Sequence, residues 1–225
     1  MGDIYQKNWL SGLSRNMKGP VIEIGSKRYD DSDDFHDYRE IFPAGVRYVG
    51  VDMEEGAGVD VILDMTRDLA FLEKALAGER FNTCISMSTM EHVGDIFAFA
   101  KNVDHFLNPG ATLAISVPFA WKIHAYPSDY WRFTPAAIRY LFPRFDFDPE
   151  LSIYHSTSGD MLPLGVAEKE DLRQVLVYPH SFRLGKTLGE KLVGLWQAAL
   201  RRITDVGSGG AIRATQIEMF GIKRV

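Results

Sequence analysis

Three acids close three apolar runs early in the chain. Val21-Ile22-Glu23-Ile24 leads into Gly25-Ser26, Val46 to Val51 leads into Asp52-Met53, and Val59 to Leu63 leads into Asp64-Met65. Apolar β-formers that stop at a glycine or an acid read as buried strands meeting a turn. In an open α/β sheet a ligand sits beyond the carboxyl ends of such strands. Gly25 has no Cβ, so the backbone there can approach a bound molecule closely. Asp52 lies more than twenty residues beyond Gly25, where an acid at the end of a second strand grips the two hydroxyls of a ribose. Two carboxylate oxygens can accept from both members of a vicinal diol. Asp64 offers an acceptor to an exocyclic amine, and Met65 offers an apolar surface to a base. Glu23 is an acid inside an apolar strand, so it needs backbone amides, a cation or a ligand. The plain alternative is a strand that simply turns at a glycine.

Two further stretches carry reactive side chains. Ser86-Met87-Ser88-Thr89-Met90-Glu91-His92 follows a fourth apolar run and therefore faces the same crevice. His92 is either a general base or a residue at a helix start that bonds to backbone. Between Pro118 and Pro135 stand His124, Tyr126, Asp129, Tyr130, Trp131 and Arg132. Loops on a rigid scaffold carry function disproportionately. Aromatic faces stack on sugar rings and stabilise cations, and the arginine fork binds phosphate or carboxylate with two bonds. The structural alternative is an apolar cluster whose loop is held by an Asp129–Arg132 ion pair.

These segments need a frame. Apolar residues between Ile4 and Met17 recur at helical spacing, and Lys18-Gly19-Pro20 ends that helix. Such a leading helix either covers a ligand or packs on the sheet edge. The run Asp30 to Asp37 is read as the cap and first turn of a helix through Phe35, Tyr38, Ile41 and Phe42, not as a metal site. Helices are expected at 66–77 and 96–107, a strand at 81–87, a turn at Asn108-Pro109-Gly110 and a strand at 111–117. Strands and helices alternate, which predicts a doubly wound, mostly parallel α/β sheet. After Pro118 the alternation loosens. A sixth strand is expected at 145–154, loop at 156–179, an amphipathic helix at 184–203, a Gly/Ser-rich stretch at 205–210 and a last strand at 215–225.

The composition narrows the field. The chain has 225 residues, which suits one domain with a full core. A net charge of −5 argues against a nucleic-acid groove. The single Cys84, in an apolar run, excludes an internal disulfide and a cysteine-based zinc site. A reducing, cytoplasmic setting fits, and no residue is assigned to a metal. Polar residues interrupt the first turns, so no signal-peptide core is present, and no apolar run approaches the roughly 20 residues of a membrane span.

Taken together, Glu23-Ile24-Gly25-Ser26, Val51-Asp52, Leu63-Asp64-Met65 and Ser88-Thr89-Met90-Glu91-His92-Val93 resemble class I S-adenosylmethionine-dependent methyltransferases, and more narrowly the small enzymes grouped as type 11. The resemblance covers roughly residues 20–145. It implies one methyltransferase domain over 1–225, with a leading helix at 1–18 and an insertion at 156–210. It implies a seven-stranded Rossmann-like sheet whose last strand runs antiparallel. S-adenosylmethionine would be the cofactor and S-adenosylhomocysteine the product. Glu23, Gly25, Ser26, Asp52 and Met53 would hold the cofactor, with Asp64, Met65, Ser86, Met87 and Glu91 beside them. The family usually has more glycines after Gly25, and this chain has Lys27-Arg28-Tyr29. His-x-Tyr-Pro-x-Asp-Tyr-Trp-Arg-Phe-Thr-Pro, beginning at His124, looks like a stretch found in methyltransferases of glycan-building pathways. The acceptor would then be a small molecule, a sugar or nucleotide sugar bound by Tyr126, Tyr130, Trp131 and Arg132. His124 is the first candidate for a base and His92 the second, with Asp129 orienting the base or binding a sugar hydroxyl. A homodimer could form through the 184–203 helix.

Two other functions stay open. A binding or scaffold protein on the same fold, without turnover, would suit the missing glycines. A nicotinamide oxidoreductase suits less well, because Gly-x-Gly-x-x-Gly is absent after the first strand.

Overall fold

In the computed structural model, residues 4–28, 37–124, 128–156, 160–169 and 214–225 are described. The strands are β1 (Val21–Ile24), β2 (Tyr48–Asp52), β3 (Val61–Ile62), β4 (Phe81–Met87) and β5 (Leu107–Pro118), then β6 (Phe145–Phe147), β7 (Ile153–His155), β8 (Met161–Pro163) and β9 (Gln216–Lys223). They form one sheet in the order β3-β2-β1-β4-β5-β9-β7-β8, with β6 also on β9. The first five are mutually parallel. β9 enters antiparallel to β5, from Thr112 to Pro118. This is the expected doubly wound α/β sheet with its reversed last strand.

β6 and β7 both pair with β9 but along different halves, at Gly221–Lys223 and Gln216–Glu218. They are the expected sixth strand split in two. Asp148 causes the split: its carboxylate accepts from the Glu150 amide at 2.8 Å and the Leu151 amide at 3.1 Å, turning the chain out of the ladder. Counting the split strand once gives seven positions, to which the short β8 is added.

The helices are α1 (Ile4–Gly12), α2 (Leu69–Ala75), α3 (Ile96–Phe106), α4 (Pro135–Leu141) and α5 (Leu164–Lys169). Asp68, Asp95 and Thr134 start α2, α3 and α4 by accepting from the amide three residues on. Leu72, Phe99, Val103 and Phe106 belong to the core on one sheet face, with Ile22, Cys84, Leu113 and Ile217. On the other face Trp9, Leu10, Leu13 and Met17 pack with Val21, Ile85, Ala114 and Phe220. Burying one such side chain contributes roughly 1.5–3 kcal/mol. α1 therefore covers a sheet face, and its Gln6 also reaches the strand tips. The Gln6 amide donates to Ser88 Oγ at 3.1 Å, Ser116 Oγ at 2.6 Å and Gln216 Oε1 at 2.7 Å.

Several expected boundaries change. The described part of the 35–42 helix is a 3₁₀ turn, Tyr38–Ile41, because the Asp37 carboxylate takes the Arg39 amide. The turn at 108–110 is absorbed into β5, whose register against β4 shifts between the Phe81 and Thr83 pairings. Within the expected loop 156–179 lie β8 and α5. The helix expected at 184–203, and with it the dimer surface, falls outside the described residues. No described helix is long and apolar enough to cross a membrane.

Candidate functional site

The tips of β1, β2 and β4 define the crevice. Gly25 has φ +84°, a left-handed conformation that favours glycine. A Cβ there would lie 2.0 Å from Thr89 Oγ1, so the β1 and β4 tips touch across this residue. Thr89, which sequence reasoning did not single out, lies 3.2 Å from the Ile24 carbonyl and 3.1 Å from the Met87 carbonyl, and its hydroxyl can donate to either. Its only signal in the sequence is its place in the segment after β4. Ser26 Oγ and Ser86 Oγ are buried beside these tips and have no hydrogen-bond partner among the described residues. Buried polar groups are normally paired, so each of the two hydroxyls is a candidate to bond a polar ligand.

Asp52 ends β2, with one oxygen 3.1 Å from the Lys27 amide and the other 3.2 Å from the Glu54 amide. The carboxylate is thereby fixed in orientation while each oxygen keeps a second lone pair. Met53 beside it is 58% exposed, an apolar surface open to a ligand. Leu63 donates its amide to the Asp52 carbonyl, which brings the Asp64 turn next to this tip. One Asp64 oxygen accepts from Thr66 N at 2.8 Å and Thr66 Oγ1 at 2.7 Å. Met65 is buried, and its carbonyl is held by Asn102 of α3 at 2.8 Å.

Glu23 differs from the expectation. Its carboxylate accepts from Tyr48 Oη at 2.7 Å, further back in the sheet. Burial raises its pKa to about 7, against the hydrogen bond from Tyr48, which lowers it; Asp37 raises it further, while Arg39 and Arg28 lower it. The Glu23–Tyr48 bond ties β1 to β2, while Asp52 ends β2 and Asp64 follows β3.

The loop after β5 docks on the turn after β4. Tyr130 N donates to the Glu91 carbonyl at 2.8 Å, and Trp131 Nε1 to the Val93 carbonyl at 2.8 Å. Phe133 N donates to the Pro118 carbonyl at 3.0 Å. Both reactive stretches of the sequence therefore meet. His92 and His124 stand edge to face with ring centres 4.9 Å apart. His92 Nδ1 lies 2.8 Å from the Ser128 carbonyl, and His124 Nδ1 lies 3.1 Å from Asp129 Oδ2. Burial holds the His92 pKa below its usual value, against the bond to the Ser128 carbonyl, which raises it. Glu91 is buried to 2% exposure, and burial raises its pKa to about 7.

Arg132 and Asp129 form a two-bond pair, at 2.5 and 2.7 Å. The arginine also donates to the carbonyls of Trp121, Lys122 and Trp131. Its hydrogen bonds depress the Asp129 pKa to about 2, despite burial, with help from the His124 amide. This is the loop-holding arrangement given above as the structural alternative for Arg132, and it leaves the guanidinium engaged rather than open to an acceptor. Tyr130 and Trp131 are 56% and 37% exposed and can still meet one. Tyr126 falls outside the described residues.

This sheet order, with an antiparallel strand beside β5, a tight glycine turn after β1 and an acid closing β2, is the Rossmann-like methyltransferase fold. Solved structures agree. The chain is similar to an S-adenosylmethionine-dependent methyltransferase from Archaeoglobus fulgidus, with TM-score 0.52 and 13% identity over 96% of this chain and 94% of that one. It is similar to the N-methyltransferase NodS from Bradyrhizobium japonicum WM9, solved with S-adenosyl-L-homocysteine, with TM-score 0.50 and 10% identity over 98% and 88%. A third is the 1,6-didemethyltoxoflavin-N1-methyltransferase from Burkholderia thailandensis, with TM-score 0.52 and 13% identity over 99% and 80%. No family model matches the chain, and no curated protein matches it in sequence.

Proposed function

We propose that the protein is an S-adenosylmethionine-dependent methyltransferase acting on a small-molecule hydroxyl, that of a sugar or glycan precursor. The observation that carries the reading is the Gly25 turn facing Asp52 across adjacent parallel strands, with two unpartnered buried hydroxyls, Ser26 and Ser86, alongside. These residues fit the cofactor: Asp52 suits a ribose diol, Asp64 with Met65 a base, and Ser86 with Met87 the amino-acid arm. When bound, the cofactor supplies a methyl group made electrophilic by its sulfonium.

The protein's part is then alignment and proton removal. Holding two reactants in line can lower a barrier by roughly 7–11 kcal/mol. A positioned base adds about 10²–10⁴-fold for a hydroxyl acceptor. His124 is our candidate for this role: its Nδ1 lies 3.1 Å from Asp129 Oδ2, an arrangement that supports Nε2 as the accepting atom. Exposed Tyr130 and Trp131 support a sugar-like acceptor by offering ring faces. Calorimetry with S-adenosylmethionine, and mass spectrometry for co-purified S-adenosylhomocysteine, test the reading. Heat of binding at one site is expected; none at millimolar ligand overturns it.

One observation favours a second reading, a binding protein without turnover. Lys27 and Arg28 occupy the positions where the family has glycines, and Arg28 pairs with Ala57 across the crevice rim. Binding of the cofactor without turnover on any acceptor would decide for it.

A further inference from the structure

We propose that Glu91, His92 and His124 form a site for one divalent transition-metal ion, Zn²⁺ first among them. One ligand atom from each of the three lies within 4.8 Å of the others. One carboxylate and two imidazoles are the donors that such ions prefer over Mg²⁺ or Ca²⁺. An ion about 2.1 Å from each ligand needs them roughly 3.5 Å apart, so modest ring rotations close the site.

The surrounding bonds already set both rings for metal. His92 Nδ1 faces the Ser128 carbonyl at 2.8 Å, and a carbonyl can only accept. Nδ1 therefore carries the hydrogen and Nε2 keeps its lone pair, 3.9 Å from Glu91 Oε1. His124 Nδ1 faces Asp129 Oδ2 at 3.1 Å and the Lys122 carbonyl at 3.3 Å, again two acceptors. Its Nε2 is likewise left with a lone pair. A histidine that gives its outer N–H to a carboxylate or carbonyl is the usual support of a metal ligand.

A second, independent observation is Glu91 Oε2. It is buried and has no hydrogen-bond partner among the described residues. Arg132 does not supply one, since its guanidinium is bound by Asp129 and three backbone carbonyls. Arg132 is matched by Asp129, so the Glu91 carboxyl has no cationic side chain bonded to it among the described residues. Three protein ligands leave at least one coordination position open, as in sites that bind an oxygen donor.

The binding of the ion stands apart from the methyl-transfer reading; its use rests on that reading. With an ion bound, both imidazoles would be occupied as ligands, and the ion would supply Lewis acidity that lets a bound hydroxyl give its proton to solvent water instead of to His124. The test uses the full chain, stripped with a chelator and titrated with Zn²⁺ by calorimetry and with Co²⁺ by visible absorption. One equivalent is expected. Glu91→Gln, which keeps the shape of the buried side chain, and His124→Ala should each weaken binding at least 100-fold while thermal unfolding stays cooperative. His105→Ala, a histidine paired with Glu73 elsewhere, should change nothing. Absence of stoichiometric binding, or affinity unchanged in Glu91→Gln and His124→Ala, overturns the proposal. S-adenosylmethionine binding to the stripped protein is measured in parallel. Cofactor binding without Zn²⁺ binding overturns the ion alone, and Zn²⁺ binding without cofactor binding keeps the ion and removes the methyltransferase.

Discussion

The proposed cofactor side, at the strand tips, and the proposed acceptor side, in the loop after β5, are built in different ways. The tips of β1, β2 and β3 are fixed by parallel register, and their backbone amides bond to neighbouring strands. The side chains there only finish the arrangement. The acceptor side has no strand of its own. It is a loop with two backbone bonds, Tyr130 to Glu91 and Phe133 to Pro118, fastened otherwise by side chains: Arg132 to three carbonyls, Trp131 to Val93, His92 to Ser128. A geometry set by a sheet tolerates changes in its side chains. A geometry set by a few side chains fails with any one of them.

The most severe test of this contrast is Gly25→Val, because there the backbone itself is addressed. A side chain at φ +84° would strain the turn and displace Thr89 from the β1–β4 contact. The expected cost is roughly 3 kcal/mol or more in denaturant unfolding, with cofactor affinity lost. Equal stability in the variant would show that the tips are not rigid.

Glu23 gives the next effect, on the same side. Its carboxyl titrates near pH 7 in the folded protein, above its ordinary 4.5. The native state therefore binds more protons than the unfolded chain between those values. Stability falls as pH rises through that window and levels off above it. Glu23→Gln keeps the acceptor for Tyr48 and removes the slope. It should gain about 3 kcal/mol at pH 8 and little at pH 4, read from urea melts.

Arg132→Ala sharpens the comparison from the other side. It leaves the Asp129 carboxylate, 2% exposed, without its main partner. The expected loss is about 2 kcal/mol, less than for a fully buried pair because Arg132 is partly exposed. Turnover should fall at least tenfold while cofactor affinity stays within about threefold. A matching loss of cofactor affinity would mean that the two sides are one mechanical unit.

Much of this plan was legible in the residues. Val21–Ile24, Phe81–Met87 and Ile96–Phe106 have periodicity strong enough to give their elements almost to the residue. β3 is shorter than its apolar run suggests, because Asp60 turns aside to bond the Gly50 amide. α4 is signalled only by its start, Thr134-Pro135, because its seven residues are too few for a helical period to show. Gln6 could not be found at all: its three partners lie 82, 110 and 210 residues away in sequence. Asp52 was legible because it ends a strand. The tie of Arg132 to loop carbonyls was not, because local composition says nothing about which carbonyls a folded loop presents.

β9 has an implication for how the molecule is made. It is the last strand in chain order, yet it lies inside the sheet, between β5 and the β6/β7 pair. During synthesis on the ribosome the seven-residue edge Thr112–Pro118 of β5 must wait bare until Gln216–Lys223 emerges. A bare edge of that length invites pairing with other chains. Newly made copies halted before residue 216 should therefore be the ones that chaperones retain.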